Sequence, residues 1–422
     1  MVVAPRICGI CSVSQSAAAA AALADAGAIT PTPNGAAATN LLKAAENIAD
    51  HITHFYLFFM PDFARAIYAD RPWQAEADRR FAATRGTASA EMMPARGRLL
   101  HVLGILAGKW PHTLAIQPGG TTKSVDVGEK MRLGAVLADL RRFLERQVFA
   151  APLEQVAELD SAEALDAWRD GNDGDLAFFL RLADDLGLES LGRTGDRFLS
   201  YGAYGGAYAA GLWRNGAVAT VDPAKISEDP SHAWMDGGEA HPSEGVTLPN
   251  ADKADAYTWC KAPRLDGQVV EVGALARQVI DGQPLIGAAV AASGGNVRNR
   301  VLARLLEVAR TVPLMEAWVK ALRPREPFCD EAALPEAGSG AGLVEAARGS
   351  LGHWVGIEHG RIANYQVIAP TTWNFSPRDT EGNPGALEAA LVGAPVRQGE
   401  ETPVAVQHVV RSFDPCMVCT VH

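Results

Sequence analysis

The chain has 422 residues, 48% of them hydrophobic and 21% charged, which is the composition of an ordinary globular protein. Its net charge of -11 argues against nucleic-acid binding, because phosphate contacts need a clustered surplus of Lys and Arg that the sequence lacks. Six cysteines are too few for a disulfide scaffold. No segment has the roughly 18 consecutive apolar residues of a membrane span. The start, MVVAPRICG, shows no secretion signal, so we expect a cytoplasmic protein.

Helix is predicted to dominate the first half of the chain. The alanine-rich run SAAAAAALADAGAI is interrupted by Asp25 and predicts a buried helix. The segment NLLKAAENIADHITHFYLFFMPDF has apolar residues at helical spacing and is closed by Pro61, which predicts one long buried helix. Further helical patterns run through VGEKMRLGAVLADLRRFLERQ and NVRNRVLARLLEVARTVPLMEAWVKAL, and shorter ones follow Ser14 and Asp175.

Strand patterns are fewer and shorter than the helical ones. They are GAVATVD, GRIANYQVIAP and TPVAVQHVVRSF, the last running directly into the C-terminal cysteines. The GSGAG at residues 338–342 lacks the strand-then-helix context of a dinucleotide site, so we predict a flexible loop rather than a phosphate cradle. Together the patterns predict the α+β class, predominantly helical, with a core of long helices and small peripheral sheets.

Four of the six cysteines form two C-x-x-C pairs at opposite ends of the chain, Cys8 with Cys11 and Cys416 with Cys419. Random placement would give roughly 0.07 such pairs. Soft sulfur ligands suit zinc, iron–sulfur clusters, copper(I) or nickel. A ligand set drawn from both ends predicts a metal at the centre of one cooperative domain, and favours a catalytic metal over a structural clip. The isolated Cys260 and Cys329 are expected to be buried, inert thiols.

Five further blocks accompany the cysteine pairs RICGIC and DPCMVC. They are DHITHFY (50–56), GKWPHTLAIQPGG (108–120), YTWCKAPRLDGQVVEVGALAR (257–277), EAARGSLGHW (345–354) and APTTWNFSPRD (369–379). In this order, the blocks resemble the large subunits of nickel–iron hydrogenases. The resemblance implies that residues 1–422 form a single domain with that large-subunit fold, and that the protein cleaves H2 into protons and electrons.

The resemblance also implies a set of metal ligands. Nickel would be held by all four paired cysteines, with Cys11 and Cys419 bridging to an iron that carries carbon monoxide and cyanide, and with Cys8 and Cys416 terminal on nickel. Heterolytic cleavage of H2 needs a base for the proton, and the terminal thiolate of Cys416 is the expected base. In the family, His422 would be a ligand of a magnesium ion.

Further residues are expected around that centre. Arg348 and Thr371 match the family positions that would donate hydrogen bonds to cyanide, which needs donors in an apolar pocket. Asp50 and Asp414 match carboxylates that lie near Arg348. From the sequence alone, Asp50 could instead be a solvated helix residue and Asp414 a helix or turn cap. Cysteines for electron-transfer clusters are lacking, so the electrons are expected to leave through a small iron–sulfur subunit.

Several departures from the family pattern indicate a subfamily. Gln15 stands where most members have a His four residues after the second cysteine, and Gln cannot titrate. This change, the aromatic Phe58 and the end of the sequence at His422 resemble the hydrogen-sensing regulatory hydrogenases. Such a protein would signal through a histidine kinase. Ala347 replaces the usual Pro before the active-site Arg. The family's N-terminal R-x-E-G block has no counterpart in this sequence, so we suspect a misassigned start or a fragment.

Three functions therefore stay open, with the sensor favoured. The first alternative is an energy-linked uptake hydrogenase, and the second is a zinc scaffold without enzymatic activity. Gas access is a further expectation. Ile10 and Phe58 replace the Val and Leu that are more common in the family, and both are expected beside the metal site, where their added bulk would narrow an apolar passage against O2. Simple core filling is the alternative for both residues.

Overall fold

Helices are the predominant regular element of the described residues, as the sequence predicts. The structure, a computed structural model, describes residues 1–420. Its α-helices are α1 Ser12–Ala26, α2 Pro33–Thr53, α3 Gln74–Phe81, α4 Thr87–Leu99, α5 His101–Ala107, α6 Val127–Phe143, α7 Leu153–Ala157, α8 Ala162–Asp170, α9 Asp175–Leu186, α10 Ala274–Ile280, α11 Pro284–Ser293, α12 Val297–Ala321, α13 Pro370–Asn374, α14 Ala386–Leu391 and α15 Val404–Ser412. Within the described residues, no helix combines the length and apolarity needed to cross a membrane.

The predicted long helices are confirmed as α2, α6 and α12, and the shorter ones as α1 and α9. Their starts have local causes. Thr32 Oγ1 accepts a hydrogen bond from the backbone N–H of Gly35 at the start of α2, and Asn296 Oδ1 accepts one from Asn299 at the start of α12. Asp126 and Glu129 form a reciprocal capping box at α6. Helices α1, α2 and α12 contribute buried residues to one large apolar cluster, where each fully buried Leu contributes about 1.5–3 kcal/mol.

The strands lie mainly in the second half of the chain. They are β1 Ile116–Gln117, β2 Gly120–Thr121, β3 Arg197–Ala203, β4 Tyr208–Arg214, β5 Ala217–Ala219, β6 Ile226–Asp229, β7 Met235–Asp236, β8 Leu248–Pro249, β9 Ala262–Leu265, β10 Glu271–Val272, β11 Gly338–Ala346, β12 Gly349–Glu358 and β13 Arg361–Ile368. One sheet has the order β10-β3-β4-β5, with β10 parallel to β3, and another is the antiparallel meander β11-β12-β13. The α+β prediction, mainly helical with small sheets, is confirmed.

The glycine-rich segment at residues 338–342 is wrongly predicted as a flexible loop, because it begins strand β11. A Cβ added at Gly342 would lie 1.9 Å from the backbone oxygen of Ala18, and one added at Gly340 would lie 2.2 Å from that of Ala22. The glycines therefore let the strand pack directly against the backbone of α1. This segment is rich in glycine because its backbone lies directly against the backbone of α1, and not because the chain is flexible there.

The C-terminal segment TPVAVQHVVRSF is wrongly predicted as a strand, since residues Val404–Ser412 form helix α15. The buried positions are Val404, His408, Val409 and Ser412. That spacing follows the helical period, whereas the β-branched residues favour a strand. The other two strand predictions are confirmed, as β5 and β13.

The long helix α2 does not continue unchanged through Phe58. After Thr53 the backbone changes to a π-helical turn at His54–Phe59, whose wider winding rotates the following side chains. Asp50, His54 and Phe58 are spaced four residues apart but therefore do not share one buried helix face. Asp50 and His54 are buried, whereas Phe58 is 50% exposed.

Candidate metal centre

The two C-x-x-C pairs meet in the structure. Cys8 and Cys11 lie between a 3₁₀ turn and the start of α1, and Cys416 and Cys419 follow α15. The Sγ atoms of Cys8 and Cys416, which are 408 positions apart in the sequence, are 3.4 Å apart. Those of Cys11 and Cys419 are 3.5 Å apart. All four side chains are buried, and their sulfur atoms lie within 4.8 Å of one another.

This cluster fits a thiolate-bound metal centre. The four cysteines are free thiols rather than disulfides. Sulfur contacts with Cys11 chiefly lower the pKa of Cys8, while contacts with Cys416 chiefly raise that of Cys11, so the protons are shared unequally. Four thiolates at this separation and depth repel one another strongly, and cations between them would remove that cost. The donor set and its burial therefore suit soft metal ions.

Glu46 of α2 holds the N-terminal pair in place. Its carboxylate accepts hydrogen bonds from the backbone N–H groups of Val13 and Ser14, at 2.9 Å each, from the Ser14 hydroxyl at 3.0 Å and from Trp110 Nε1 at 3.0 Å. It thereby caps α1, which begins directly after Cys11. Burial raises the pKa of Glu46 to about 7, although these hydrogen bonds act in the opposite direction.

Helix α13 holds the C-terminal pair. Thr371 Oγ1 accepts a hydrogen bond from the backbone N–H of Cys416 at 3.1 Å, so the Thr371 hydroxyl proton remains available for another acceptor. Thr372 Oγ1 donates to the backbone oxygen of Cys419 at 3.3 Å. Two adjacent threonines thus anchor the two cysteines. Thr371 lies where the sequence analysis expects it, and Thr372 was missed.

Arg348 lies at the turn between β11 and β12 and contacts both predicted carboxylates. Its Nη2 donates to Asp50 Oδ1 at 2.8 Å and to Asp414 Oδ1 at 3.2 Å, and its Nε donates to the backbone oxygen of Asp414 at 2.9 Å. All three side chains are buried, so Asp50 is not a solvated helix residue. Burial raises the pKa of Asp50 to about 8. At Asp414 burial acts in the same direction, but the charges of Arg348, His54 and Arg304 together outweigh it and lower the pKa.

A buried network of charges extends this cluster, and sequence reasoning missed it. Arg304 Nη1 donates to Asp414 Oδ2 at 3.1 Å and to His51 Nδ1 at 3.3 Å. His51 Nε2 therefore carries the proton and donates to Glu307 at 3.2 Å. Arg277 donates twice to Glu307, at 2.8 and 2.9 Å. Arg304 and Glu307 are three residues apart on α12 and therefore lie on one side of this helix. The signal in the sequence that could have revealed the network is the presence of charged residues among the apolar residues of this buried helix.

Arg277 also connects this network to the turn that carries Arg348. Its guanidinium donates to Glu345 at 2.7 Å and to the backbone oxygens of Ala346 and Ala347 at 2.8 and 3.1 Å. The Ala347 that replaces the usual Pro is therefore held by a hydrogen bond to its carbonyl. Arg348 follows directly, so Arg277 fixes the backbone from which that guanidinium projects.

Gln15 lies on α1, one turn after Cys11, and is fully buried. Its Nε2 lies 3.9 Å from Cys11 Sγ, and its Oε1 lies 2.8 Å from His353 Nε2. His353 Nδ1 in turn lies 2.6 Å from the hydroxyl oxygen of Tyr365. Gln15 could be identified from the sequence, whereas His353 and Tyr365 could not.

Two expectations are wrong, namely the narrow passage at Ile10 and Phe58 and the burial of Cys329. Ile10 is 45% exposed and Phe58 is 50% exposed, so close packing within this chain does not form the predicted narrow passage. Ile10 does lie in the cysteine turn, but it is exposed rather than packed against the sulfurs. Cys260 is buried and burial raises its pKa, as expected, whereas Cys329 is only half-buried. His422 lies outside the described residues.

Comparisons with known proteins agree with this geometry. The family described as nickel-dependent hydrogenase matches residues 1–79 and 90–422. The periplasmic [NiFeSe] hydrogenase large subunit of Desulfomicrobium baculatum is 28% identical over 454 residues, covering 99% of this chain and 84% of that protein. The uptake hydrogenase large subunit of Rhizobium leguminosarum bv. viciae is 27% identical over 527 residues, covering 99% and 85%.

A solved structure shares the fold. The Ni-Fe-Se hydrogenase from D. vulgaris Hildenborough, in its reduced state, superposes with a TM-score of 0.83 at 26% identity, covering 100% of this chain and 89% of that chain. A buried set of four thiolates within this fold defines a metal-dependent redox enzyme. The chain belongs to the nickel-dependent hydrogenase family, whose members are oxidoreductases that act on H2.

Proposed function

We propose that the chain is the large subunit of a nickel–iron hydrogenase, which cleaves H2 into two protons and two electrons. The observation that carries this proposal is the buried set of four cysteine sulfurs within 4.8 Å of one another. The relatives that match 99% of the chain are named large subunits, which supports the same place for this chain. Its electrons would pass to a small iron–sulfur subunit, because its remaining cysteines are isolated.

The ligand roles that the family resemblance implies can be assigned to the two sulfur pairs. Cys11 and Cys419 lie 3.5 Å apart and would bridge nickel and iron, while Cys8 and Cys416, 3.4 Å apart, would be terminal on nickel. When bound, the nickel–iron centre would supply the site at which H2 binds and the acceptor for its electrons. We also propose that the iron carries carbon monoxide and cyanide, and that His422 is a ligand of a magnesium ion.

The side chains around the sulfurs would handle the proton and hold the centre's ligands. Cys416 is the proposed base, and its backbone is fixed by Thr371. Arg348 is anchored by Asp50 and Asp414 through Nε and Nη2, while its Nη1 has no hydrogen-bond partner within the described residues. That nitrogen and the Thr371 hydroxyl proton are the donors that we assign to cyanide.

The physiological direction that the relatives support best is H2 uptake. The uptake hydrogenase of R. leguminosarum matches 99% of the chain, and further uptake hydrogenases match about half of it. Gln15 favours a second candidate, a hydrogen sensor that acts through a histidine kinase, because a buried amide rather than an imidazole contacts Cys11. Turnover of the purified complex discriminates the two, since a sensor needs only slow H2 cleavage.

Two further parts of the proposal concern the whole chain. We expect residues 1–422 to fold as one domain, because its first and last described segments contribute to the same centre. We also keep the cytoplasm as the proposed compartment. The six cysteines are all free thiols, as a reducing compartment favours. Cell fractionation tests the compartment, and coincident unfolding transitions observed with two probes test the single domain.

Metal analysis of wild type and Cys419→Ser tests the main proposal. Wild type is expected to contain nickel and iron, and the variant to lose both, because a serine hydroxyl is a harder ligand than a bridging thiolate. Cys260→Ser is the matched control, since Cys260 is also buried but lies outside the cluster, and it is expected to keep the metals. Zinc alone in the wild type, or full nickel in Cys419→Ser, would contradict the proposal.

A further inference from the structure

Three side chains form a hydrogen-bonded chain that ends at Cys11. It runs from Tyr365 on β13 through His353 on β12 to Gln15 on α1, with distances of 2.6, 2.8 and 3.9 Å. Gln15 and His353 are fully buried, and Tyr365 is half-buried. Strands β12 and β13 pair antiparallel, with His353 opposite Val367. Tyr365 is two residues before Val367 on β13, so the side chains of His353 and Tyr365 are diagonal neighbours on the same face of the sheet.

The direction of every hydrogen bond in this chain can be derived from its end. A cysteine thiolate has no proton, so Gln15 must turn its amide N–H toward Cys11. The Gln15 oxygen then faces His353, and it can only accept, so His353 Nε2 carries the proton. His353 Nδ1 is therefore an acceptor in the neutral ring, and the Tyr365 hydroxyl must donate to it. All three donors point the same way, toward the sulfur.

From this arrangement we propose that Tyr365 and His353 are positioning residues, which orient and polarise the Gln15 amide as a hydrogen-bond donor to Cys11. The inference rests on the proposed function, in which Cys11 bridges the two metals. Successive bonds with one direction strengthen each other, by about 10–30% per bond. Without His353, the Gln15 amide could turn over and present its oxygen to the sulfur, which would repel a thiolate.

The hydrogen bond from Gln15 would change how strongly the Cys11 sulfur donates electrons to a bound metal. A hydrogen bond withdraws electron density from a thiolate, so a stronger bond to Cys11 makes this cysteine a weaker electron donor to a bound metal. Burial raises the pKa of Tyr365, so its hydroxyl stays protonated and able to donate. The side chains at positions 15, 353 and 365 would thus tune the centre without touching the metals.

Two spectroscopic measurements test the inference on the purified, metal-loaded complex. The first is the infrared carbonyl band. In Gln15→Met, which keeps the size but removes the donor, we expect the band to move to lower frequency. In Tyr365→Phe we expect the same direction and about 10–30% of that shift. Tyr201→Phe is the control, because Tyr201 is likewise half-buried, and its hydroxyl has no hydrogen-bond partner within the described residues.

A shift in Gln15→Met without any shift in Tyr365→Phe would overturn the relay, and so would equal shifts in Tyr365→Phe and Tyr201→Phe.

The second measurement is nitrogen NMR of histidine-labelled protein, with the His353 signal assigned by its loss in His353→Asn. We expect a neutral ring with the proton on Nε2, and a proton on Nδ1 would overturn the inference. Absence of the carbonyl band from wild type would contradict the proposed function instead, and the NMR result would still decide the direction of the relay.

Discussion

The carboxyl group of Glu46 gives a sharp test of how the first cysteine pair is supported. In Glu46→Gln the side chain keeps its shape, but one carboxylate oxygen becomes an NH2 group. The four groups that Glu46 contacts are all donors, two from the backbone at the start of α1 and two from the Ser14 and Trp110 side chains. If the amide oxygen accepts from Val13 and Trp110, its NH2 faces the Ser14 N–H, which is left without an acceptor.

The magnitude follows from that unsatisfied group and from the pKa. A buried donor without a partner costs about 1–3 kcal/mol. In addition, the pKa of Glu46 is raised from 4.5 to about 7 in the folded protein, so the folded state binds the proton more tightly than the unfolded chain. That contribution is fully present below pH 4.5 and is lost as the pH rises to 7, by about 1.4 kcal/mol per pH unit and about 3 kcal/mol in total.

The assay is the free energy of unfolding of wild type and Glu46→Gln at several pH values, with nickel content measured in parallel. We expect the variant to be less stable by about 1–3 kcal/mol at pH 4.5. Wild type then loses about 3 kcal/mol relative to the variant between pH 4.5 and 7, so near pH 7 the variant is at least as stable as wild type. Glu163→Gln, an exposed glutamate in the first turn of α8, is the control and should change stability by less than about 0.5 kcal/mol. A difference that does not depend on pH would show that the folded state does not raise the pKa of the Glu46 carboxyl group.

The remaining predictions concern the arginine and the strand packing. Arg348→Lys should keep its metals but reduce H/D exchange by about 10²-fold, because an ammonium cannot contact both carboxylates and a further acceptor as the planar guanidinium does; unchanged exchange would count against a catalytic role. Gly342→Ala should destabilise the protein by about 3 kcal/mol, since its Cβ would meet the Ala18 backbone. Gly104→Ala, with no atom within 4 Å of its Cβ, should instead be neutral or stabilising by up to about 1 kcal/mol, and equal effects would show that backbone approach at Gly342 is unimportant.

The helices and the four cysteines could be predicted from the sequence, because each depends on a local signal. Helical periodicity over α2, α6 and α12 is long and strong, and two C-x-x-C pairs are rare by chance. Local signals were misleading where tertiary packing decides. The β-branched residues of α15 favour a strand in isolation, but the buried positions Val404, His408 and Val409 follow a helical period. The GSGAG segment is a strand because α1 lies against it.

The supporting part of the site could not be predicted, since its members are far apart in the sequence. Glu46 caps a helix that begins 34 positions earlier, and His353 contacts Gln15 across 338 positions. Each is an ordinary polar residue until the fold brings it to its partner. The exposure of Phe58 has a different, local cause, because a π-helical turn after Thr53 changes the winding that the sequence spacing assumes.

Infrared spectroscopy of the purified chain, in complex with its small subunit, shows whether the proposed nickel–iron centre is present. Carbon monoxide and cyanide absorb where proteins do not, and the proposed iron carries both, held next to Arg348 and Thr371. We expect one carbonyl band and two cyanide bands that change when H2 is added and that are lost in Cys419→Ser. A wild-type complex that contains zinc and shows none of these bands would contradict the proposed function.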